Sequence, residues 1–228
     1  MEAPEPTLER PDAPVFGESF NSRSMLRIYD AMVYRFSEPL FWRCSVKRFL
    51  DLYDDNVSAR HLDIGVATGY LLDHCRFPVA DPQITLMDLN PEPLAFAAHR
   101  LQRYAPRIQR ANVLDDWKLP DRSFDSIAMF NLLHCVPGTL KEKAVAFEHA
   151  RAALAPGGTL FGATIVHGGV KHTRRSRGLL KLLNRRGVFD NLGDDLDDLE
   201  AGLARSFGAW EVQVEGVTAL FKAGGEAR

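Results

Sequence analysis

The pattern of apolar and polar positions divides the chain near His61. From that point, short apolar runs alternate with segments of helical spacing, and the runs read HLDIGV, ITLMDL, SIAMF and TLFGATIV. Such alternation is typical of β–α units arranged around a mostly parallel sheet. The pattern therefore predicts one α/β domain that extends from residue 58 to residue 228.

Residues 19–57 have a different pattern, in which aromatic, aliphatic and basic residues recur at helical spacing. We predict that they form a cap of two helices separated at Pro39, because proline interrupts the hydrogen bonds of a helix interior. The predicted apolar face of the first helix consists of Met25, Ile28, Tyr29, Met32 and Phe36. The proline-rich residues 1–18 before the cap are predicted to be a disordered tail.

The segment from residue 167 to residue 195 is basic in its first part and acidic at its end. Its paired leucines predict an amphipathic helix, and we expect the whole segment to form a lid over the functional site. The acidic run Asp194–Asp198 lacks the spacing and the glycine of a calcium loop. Since negative charge stabilises a helix start without any ligand, we interpret the run as a solvated helix start and predict no metal site.

Composition narrows the class of protein. The 228 residues include 28 basic and 30 acidic side chains, so we expect neither nucleic acid nor a membrane as a partner. Cys44, Cys75 and Cys135 are widely spaced and form no CxxC pair, which argues against a disulfide framework or a zinc site. We therefore expect a cytoplasmic protein, and the choice between monomer and homodimer stays open.

The loop after the first strand carries the strongest chemical signal. The sequence HLDIGVATGY places Asp63 at the strand end and Gly65, Ala67 and Gly69 in the turn before a helix. Small residues let the backbone approach a ligand that lies across the strand ends. A dinucleotide loop would have a third glycine where this chain has Tyr70, and the Asp63 charge disfavours a pyrophosphate. The loop instead suits a ligand with an ammonium or sulfonium group.

The second strand, ITLMDLN, ends in Asp88, and Leu89 follows it. A carboxylate at that strand end can accept hydrogen bonds from both hydroxyls of an adenosine ribose. An aspartate in such a position is more often a turn or helix cap, so Asp88 alone is weak evidence. Together with the preceding loop it predicts a bound adenosine.

These segments resemble those of class I S-adenosylmethionine-dependent methyltransferases. HLDIGVATG is similar to their motif I, MDLN to the acidic end of their second strand, and FDSIAMFNLLH and LAPGGTLFGATIV to their fourth and fifth strands. The resemblance covers about residues 59–223. It implies a Rossmann-like, seven-stranded, mostly parallel sheet with an antiparallel last strand, helices on both faces, and S-adenosyl-L-methionine as cofactor.

The chain departs from the family pattern at two positions. Ala67 replaces a more usual glycine, and Asn112 stands where many relatives have an acidic residue that meets the adenine. We expect the adenine contact near Asn112 and Val113, and which side chain makes it stays open.

Several residues are candidates for binding the methyl acceptor or the cofactor, or for removing a proton from the acceptor. His134 can act as a general base, and the alternative is that it packs beneath the following turn or orients the cofactor. His167, at the end of the fifth strand, is a second candidate. Tyr29 can hydrogen-bond the methionine end of the cofactor or the acceptor, or simply fill the cap. Asn131, at the end of the fourth strand, is a predicted cofactor contact.

The predicted function is methyl transfer from S-adenosylmethionine to a small-molecule acceptor, a metabolite or secondary metabolite. The cap and lid are small, which suits such an acceptor better than a macromolecule. Whether oxygen, nitrogen or carbon is methylated stays open. Two alternatives remain, a cofactor-binding enzyme of this fold that does not transfer methyl groups and a non-catalytic partner protein.

Overall fold

The computed structural model describes residues 23–226, in which seven strands form one sheet. The strands are β1 (Arg60–Ile64), β2 (Gln83–Asp88), β3 (Arg107–Arg110), β4 (Phe124–Phe130), β5 (Leu154–Ile165), β6 (Phe207–Glu215) and β7 (Thr218–Glu226). Their order is β3-β2-β1-β4-β5-β7-β6, and β7 runs antiparallel to both of its neighbours, β5 and β6. The predicted sheet is confirmed.

Helices cover both faces of this sheet. They are α1 (Arg23–Asp30), a π-helix (Ala31–Trp42), α2 (Val46–Asn56), α3 (Tyr70–His74), α4 (Pro91–Arg100), α5 (Leu140–Lys143), α6 (Val145–Ala153), α7 (Arg174–Arg185) and α8 (Leu196–Ser206). Because side chains alternate along a strand, β4 sends Ile127 and Met129 into the core that faces α6 and α8. Ala128 and Phe130 enter the core that faces α2 and α4.

The cap differs from its prediction. A continuous π-helix runs through Pro39 to Trp42 and is followed by Arg43, whose φ of 61° is left-handed, so Pro39 does not separate two helices. Ile28 and Phe36 are 55% and 61% exposed, and the predicted apolar face is wrong at these positions. At Phe36 the cause is the i→i+5 bonding of the π-helix, which changes the positions that share a face, whereas Ile28 lies in α1, before the π-helix begins. The buried positions of that helix are Tyr34, Glu38 and Trp42. The predicted tail, positions 19–22 and the side chain of Met25 lie outside the described residues.

An amphipathic helix, α7, does form in the segment 167–195, and it packs Leu180 against Trp42 of the cap. The start of α8 differs from the interpretation of Asp194–Asp198 as a solvated helix start. Asp195 caps the helix, but Asp194 is only 1% exposed and is not part of a solvated helix start. Its carboxylate lies 2.9 Å from the buried ammonium of Lys143. This pairing offsets the free-energy cost of burying an isolated charge. Within residues 23–226, none of the helices is long and apolar enough to cross a bilayer.

Candidate active site

The loop between β1 and α3 owes its shape to backbone conformations that glycine favours. Gly65, Ala67 and Gly69 all have left-handed φ values, of 74°, 45° and 72°. A Cβ on Gly69 would come within 3.1 Å of Ala97 on α4, so helix packing also restricts this position. The loop is tied to β2 because Gly65 N donates to Met87 O at 2.9 Å. The small residues therefore form a tight turn at the carboxyl ends of β1 and β2.

Asp63 and Asp88 lie at the ends of these two neighbouring strands. The Tyr53 hydroxyl donates a hydrogen bond to Asp63, which is buried. Asp88 accepts a hydrogen bond from Asn90 N at 2.9 Å and further ones from the backbone N–H groups of Leu89 and Val66. Burial raises the pKa of Asp88 to about 6, and these backbone donors oppose the rise. Asp88 thus acts as a turn cap and also contacts the glycine-containing loop.

The cap is anchored to the same loop. Asp30 at the end of α1 accepts hydrogen bonds from Thr68 Oγ1 and, at 2.7 Å, from Arg100 on α4. The rings of Tyr34 and Tyr70 stack with centroids 4.8 Å apart. Tyr70 is the residue that replaces the third glycine of a dinucleotide-binding loop. In the structure its ring is the surface against which the cap packs.

Tyr29, in the last turn of α1, lies near ionisable groups of the cap and of the strand ends. Burial raises the pKa of its hydroxyl, and the charges of Cys135, Glu38, Asp30 and Asp88 raise it further. Its ring also meets Tyr34 edge-on, at 6.3 Å between centroids. The structure thus brings Tyr29 close to the end of β2 and to residues beyond the end of β4.

The end of β4 carries a buried polar pair that includes a residue the sequence interpretation missed. Asn131 has a φ of 53°, and its Nδ2 donates to Glu38 Oε1 at 2.8 Å. Glu38 is 1% exposed, and burial raises its pKa to about 8. Glu38 Oε2 and Asn131 Oδ1 are buried without a partner among the described residues. The signal that was overlooked is the spacing Tyr34–Glu38–Trp42, which places a carboxyl between two aromatic residues.

The two candidate histidines, His134 and His167, are each held by hydrogen bonds within the protein. His134 is 3% exposed, its Nδ1 accepts a hydrogen bond from Ile165 N at 3.2 Å, and its ring lies 4.3 Å from that of Phe189. Burial, followed by the charge of Lys143, lowers its pKa to about 3. His167 N donates to Asp194 O at 2.9 Å, so its backbone is bound to the start of α8. His134 therefore makes the contacts expected of the packing alternative, and its imidazole stays neutral.

The expected adenine region follows β3. Asn112 Oδ1 accepts a hydrogen bond from Leu114 N at 3.1 Å, and the carbonyl of Val113 accepts one from Trp117 Nε1 at 3.0 Å. Val113 itself is buried. The oxygen of the Asn112 side chain is thus engaged inside its own loop.

Comparison with known proteins assigns the family. Residues 62–160 match a family described as a methyltransferase domain. The chain is 46% identical over 207 residues to demethylluteothin O-methyltransferase of Streptomyces thioluteus, over 91% of this chain and 90% of that protein. The chain belongs to the class I S-adenosylmethionine-dependent methyltransferases.

Two further proteins agree with this assignment. The physcion biosynthesis cluster O-methyltransferase of Aspergillus chevalieri is 36% identical to this methyltransferase over 203 residues, or 87% of this chain and 90% of that protein. The solved DhpI–S-adenosylhomocysteine complex shares the fold, with a TM-score of 0.62 at 18% identity over 95% of this chain and 100% of that one. The predicted enzyme class and fold are confirmed, and the alternative of a non-catalytic partner is set aside.

The residues of the cleft fit the cofactor of this family. S-adenosylmethionine carries an ammonium, a sulfonium and two ribose hydroxyls, which need negative or hydrogen-bond-accepting partners. Asp88 offers a carboxylate near the glycine-containing loop, and Asn131 Oδ1 is buried without a hydrogen-bond partner among the described residues. Groups of this kind are stabilised when a cationic or donating ligand is bound.

Proposed function

We propose that this methyltransferase methylates a hydroxyl group of a small, largely apolar secondary metabolite. The observation that carries the proposal is an apolar cluster that joins the cap, β5 and the segment 167–195. It comprises Trp42, Ile165, Leu180, Val188, Phe189 and Val217. The rings of Trp42 and Phe189 lie 5.9 Å apart. An acceptor bound at the ends of β4 and β5 would lie beside this packed apolar cluster, and the O-methyltransferase names of the two relatives support oxygen as the methylated atom.

We assign two sides to the cleft. The cofactor side consists of the ends of β1 and β2 and the loop between β1 and α3. There, Asp88 would hold the ribose hydroxyls, and Asp63, Gly65, Ala67, Gly69 and Leu89 would surround the rest of the cofactor. Asn112 and Val113 would meet the adenine. When bound, S-adenosylmethionine supplies an electrophilic methyl group on a sulfonium.

The acceptor side consists of the ends of β4 and β5, the described part of the cap (residues 23–57) and the lid (residues 167–195). Tyr29 and Asn131 would contact both ligands, because they lie where the two sides meet. His134 and His167 remain proposed contacts of the acceptor. With a pKa of about 3, His134 would be a weak proton acceptor and would mainly position its neighbours. The free thiols of Cys44, Cys75 and Cys135 support a cytoplasmic location.

The test is a transfer reaction with S-adenosylmethionine that carries a deuterated methyl group. Demethylluteothin, the acceptor named for the 46%-identical relative, serves as the probe beside a panel of phenols and amines. We expect a labelled methyl ether, identified by mass spectrometry and by the methyl carbon shift. Asp88→Asn is the control with impaired cofactor binding. Methylation of nitrogen or carbon alone, with no ether from any hydroxyl compound, would overturn the proposal.

A further inference from the structure

The inference starts from the carboxyl group of Glu38, which lies in the cap but faces the end of β4. It is buried between Tyr34 and Trp42 of the π-helix, and Oε1 is fixed by Asn131 Nδ2 at 2.8 Å. Asn131 is itself fixed, because its N–H donates to Ala163 O on β5 at 2.8 Å. The second oxygen, Oε2, has no partner among the described residues. Leaving a buried carboxyl oxygen unpaired is costly unless a ligand completes its hydrogen bonds.

The location of this carboxyl is the point where the strand order reverses. β1 has β2 on one side and β4 on the other, and ligands of open α/β sheets bind at such a switch point. Tyr29 lies near both Glu38 and Asp88, since the charge of either group raises the pKa of its hydroxyl. Through its hydrogen bond to Asn131, Glu38 is therefore held just beyond the end of β4, next to the switch point where we expect the cofactor and the acceptor to meet.

The neighbours of Glu38 do not neutralise it. The titratable groups that face it are Tyr29 from α1, Tyr34 from its own helix and Cys44 beyond that helix. Burial raises the pKa of all three above their usual values, so they stay uncharged near neutral pH. Beyond Cys44, Arg48 is engaged with Glu215 at 2.8 Å. Among the described residues, the Asn131 hydrogen bond is the contact that favours the ionised form of Glu38.

We propose that Glu38 is the general base of the reaction and accepts the proton of the acceptor hydroxyl on Oε2. In this step, the hydroxyl oxygen forms the new C–O bond and the C–S bond breaks, with its electron pair moving to sulfur. The hydroxyl proton passes to Glu38 and later leaves to solvent, so that the products are a methyl ether and S-adenosylhomocysteine. The proposal rests on the proposed O-methylation. Asn131 is a positioning residue that holds the carboxyl and favours its ionised form.

The first test needs no acceptor. S-adenosylmethionine and S-adenosylhomocysteine differ by one methyl group and one positive charge, and calorimetry in two buffers of different ionisation enthalpy counts the protons released on binding. At pH 7 the Glu38 carboxyl, with a pKa of about 8, is mostly protonated. A nearby sulfonium favours ionisation, so we expect S-adenosylmethionine to release about one more proton than S-adenosylhomocysteine. Glu38→Gln should abolish this difference, and the exposed Glu148→Gln should keep it. An unchanged difference in Glu38→Gln would overturn the proposal.

The second test follows turnover of demethylluteothin against pH. Glu38→Gln should lower kcat by roughly 10²–10⁴-fold, leave S-adenosylhomocysteine affinity nearly unchanged, and remove a rise in rate that the parent and Glu148→Gln retain. Asn131→Asp keeps a residue that tolerates a left-handed backbone, but it replaces a donor with a charge. It should therefore move that rise to higher pH. Parental kcat with lost cofactor affinity in Glu38→Gln would instead make Glu38 a cofactor ligand and overturn the proposal.

The two proposals fail in different ways. If the product is an N-methyl or C-methyl compound, O-methylation is wrong, while the proton count still reports whether Glu38 lies beside the sulfonium. If demethylluteothin is not turned over, calorimetry with the two cofactor forms decides the position of Glu38. A methyl ether formed at parental rate by folded Glu38→Gln would retain the proposed function and overturn the role of Glu38.

Discussion

The two sides of the cleft differ in how far apart their contacting residues lie along the chain. On the cofactor side, Asp88 caps a turn two residues away and contacts the neighbouring loop at Val66. On the acceptor side, Glu38 and Asn131 are 93 residues apart, and Lys143 and Asp194 are 51 apart. The cofactor side is thus built largely from local turns, whereas the acceptor side exists only when distant segments pack. We expect substitutions to affect folding most on the acceptor side and cofactor binding most on the cofactor side.

The largest effect is expected at the Lys143–Asp194 pair. Both side chains are fully buried, and Lys143 Nζ also donates to Asp190 O at 2.7 Å. Lys143→Met leaves an uncompensated buried carboxylate, so urea unfolding should show a loss of about 3–5 kcal/mol. The double variant Lys143→Met/Asp194→Leu should recover most of it. A loss below about 1 kcal/mol in the single variant would show that this pair does not hold the lid in place.

His134→Ala should come next. It removes the ring packed on Phe189 and leaves Ile165 N without its acceptor, which should cost roughly 2–4 kcal/mol of folding free energy with cofactor affinity unchanged. Because folding lowers the His134 pKa to about 3, protonation opposes folding. The parent should lose stability as the pH falls from about 6.5 toward 3, and the variant should lack this component. A drop in kcat of roughly 10²–10⁴-fold at unchanged stability would instead make His134 the base.

Asp88→Asn should affect binding more than folding. Hydrogen bonds to a charged acceptor contribute roughly 1.5–3 kcal/mol, so calorimetry should show S-adenosylhomocysteine affinity falling by tenfold or more. The carboxylate must be ionised to accept, and its pKa is about 6, so parental affinity should also fall as the pH drops below that value. Asp115→Asn and Asp116→Asn are the matched controls. Equal losses in all three variants would place the ribose elsewhere.

The smallest effect is expected where the cap meets the loop. Asp30→Asn weakens the partly exposed contact with Arg100, and the loss should be on the order of 1 kcal/mol. Hydrogen exchange of residues 23–36 should be faster in the variant, and cofactor should slow exchange in the parent because the cap closes over the ligand. Identical exchange with and without cofactor would make this segment a fixed part of the core.

The difference between local and long-range contacts also explains which features could be predicted from the sequence. The sheet and the turn at Gly65 and Gly69 follow from local patterns, since strand alternation and left-handed turns depend on neighbouring residues. The buried face of Ala31–Trp42 could not be predicted, because a helical period of 3.6 was assumed where the chain forms a π-helix. Glu38 and Asp194 were missed for a second reason. From the sequence alone, an acidic residue is expected to be exposed to solvent. Its buried partner, here Asn131 or Lys143, is known only from the tertiary structure.

The central claim is that the ends of β1 and β2 bind an S-adenosyl ligand. Calorimetric titration of the parent and of Asp88→Asn with S-adenosylhomocysteine and with NAD tests it directly. We predict that S-adenosylhomocysteine binds the parent, that the Asp88→Asn variant binds it more weakly, and that NAD gives no saturable heat with either protein. Binding of NAD that is as tight as that of S-adenosylhomocysteine, or tighter, would contradict the claim.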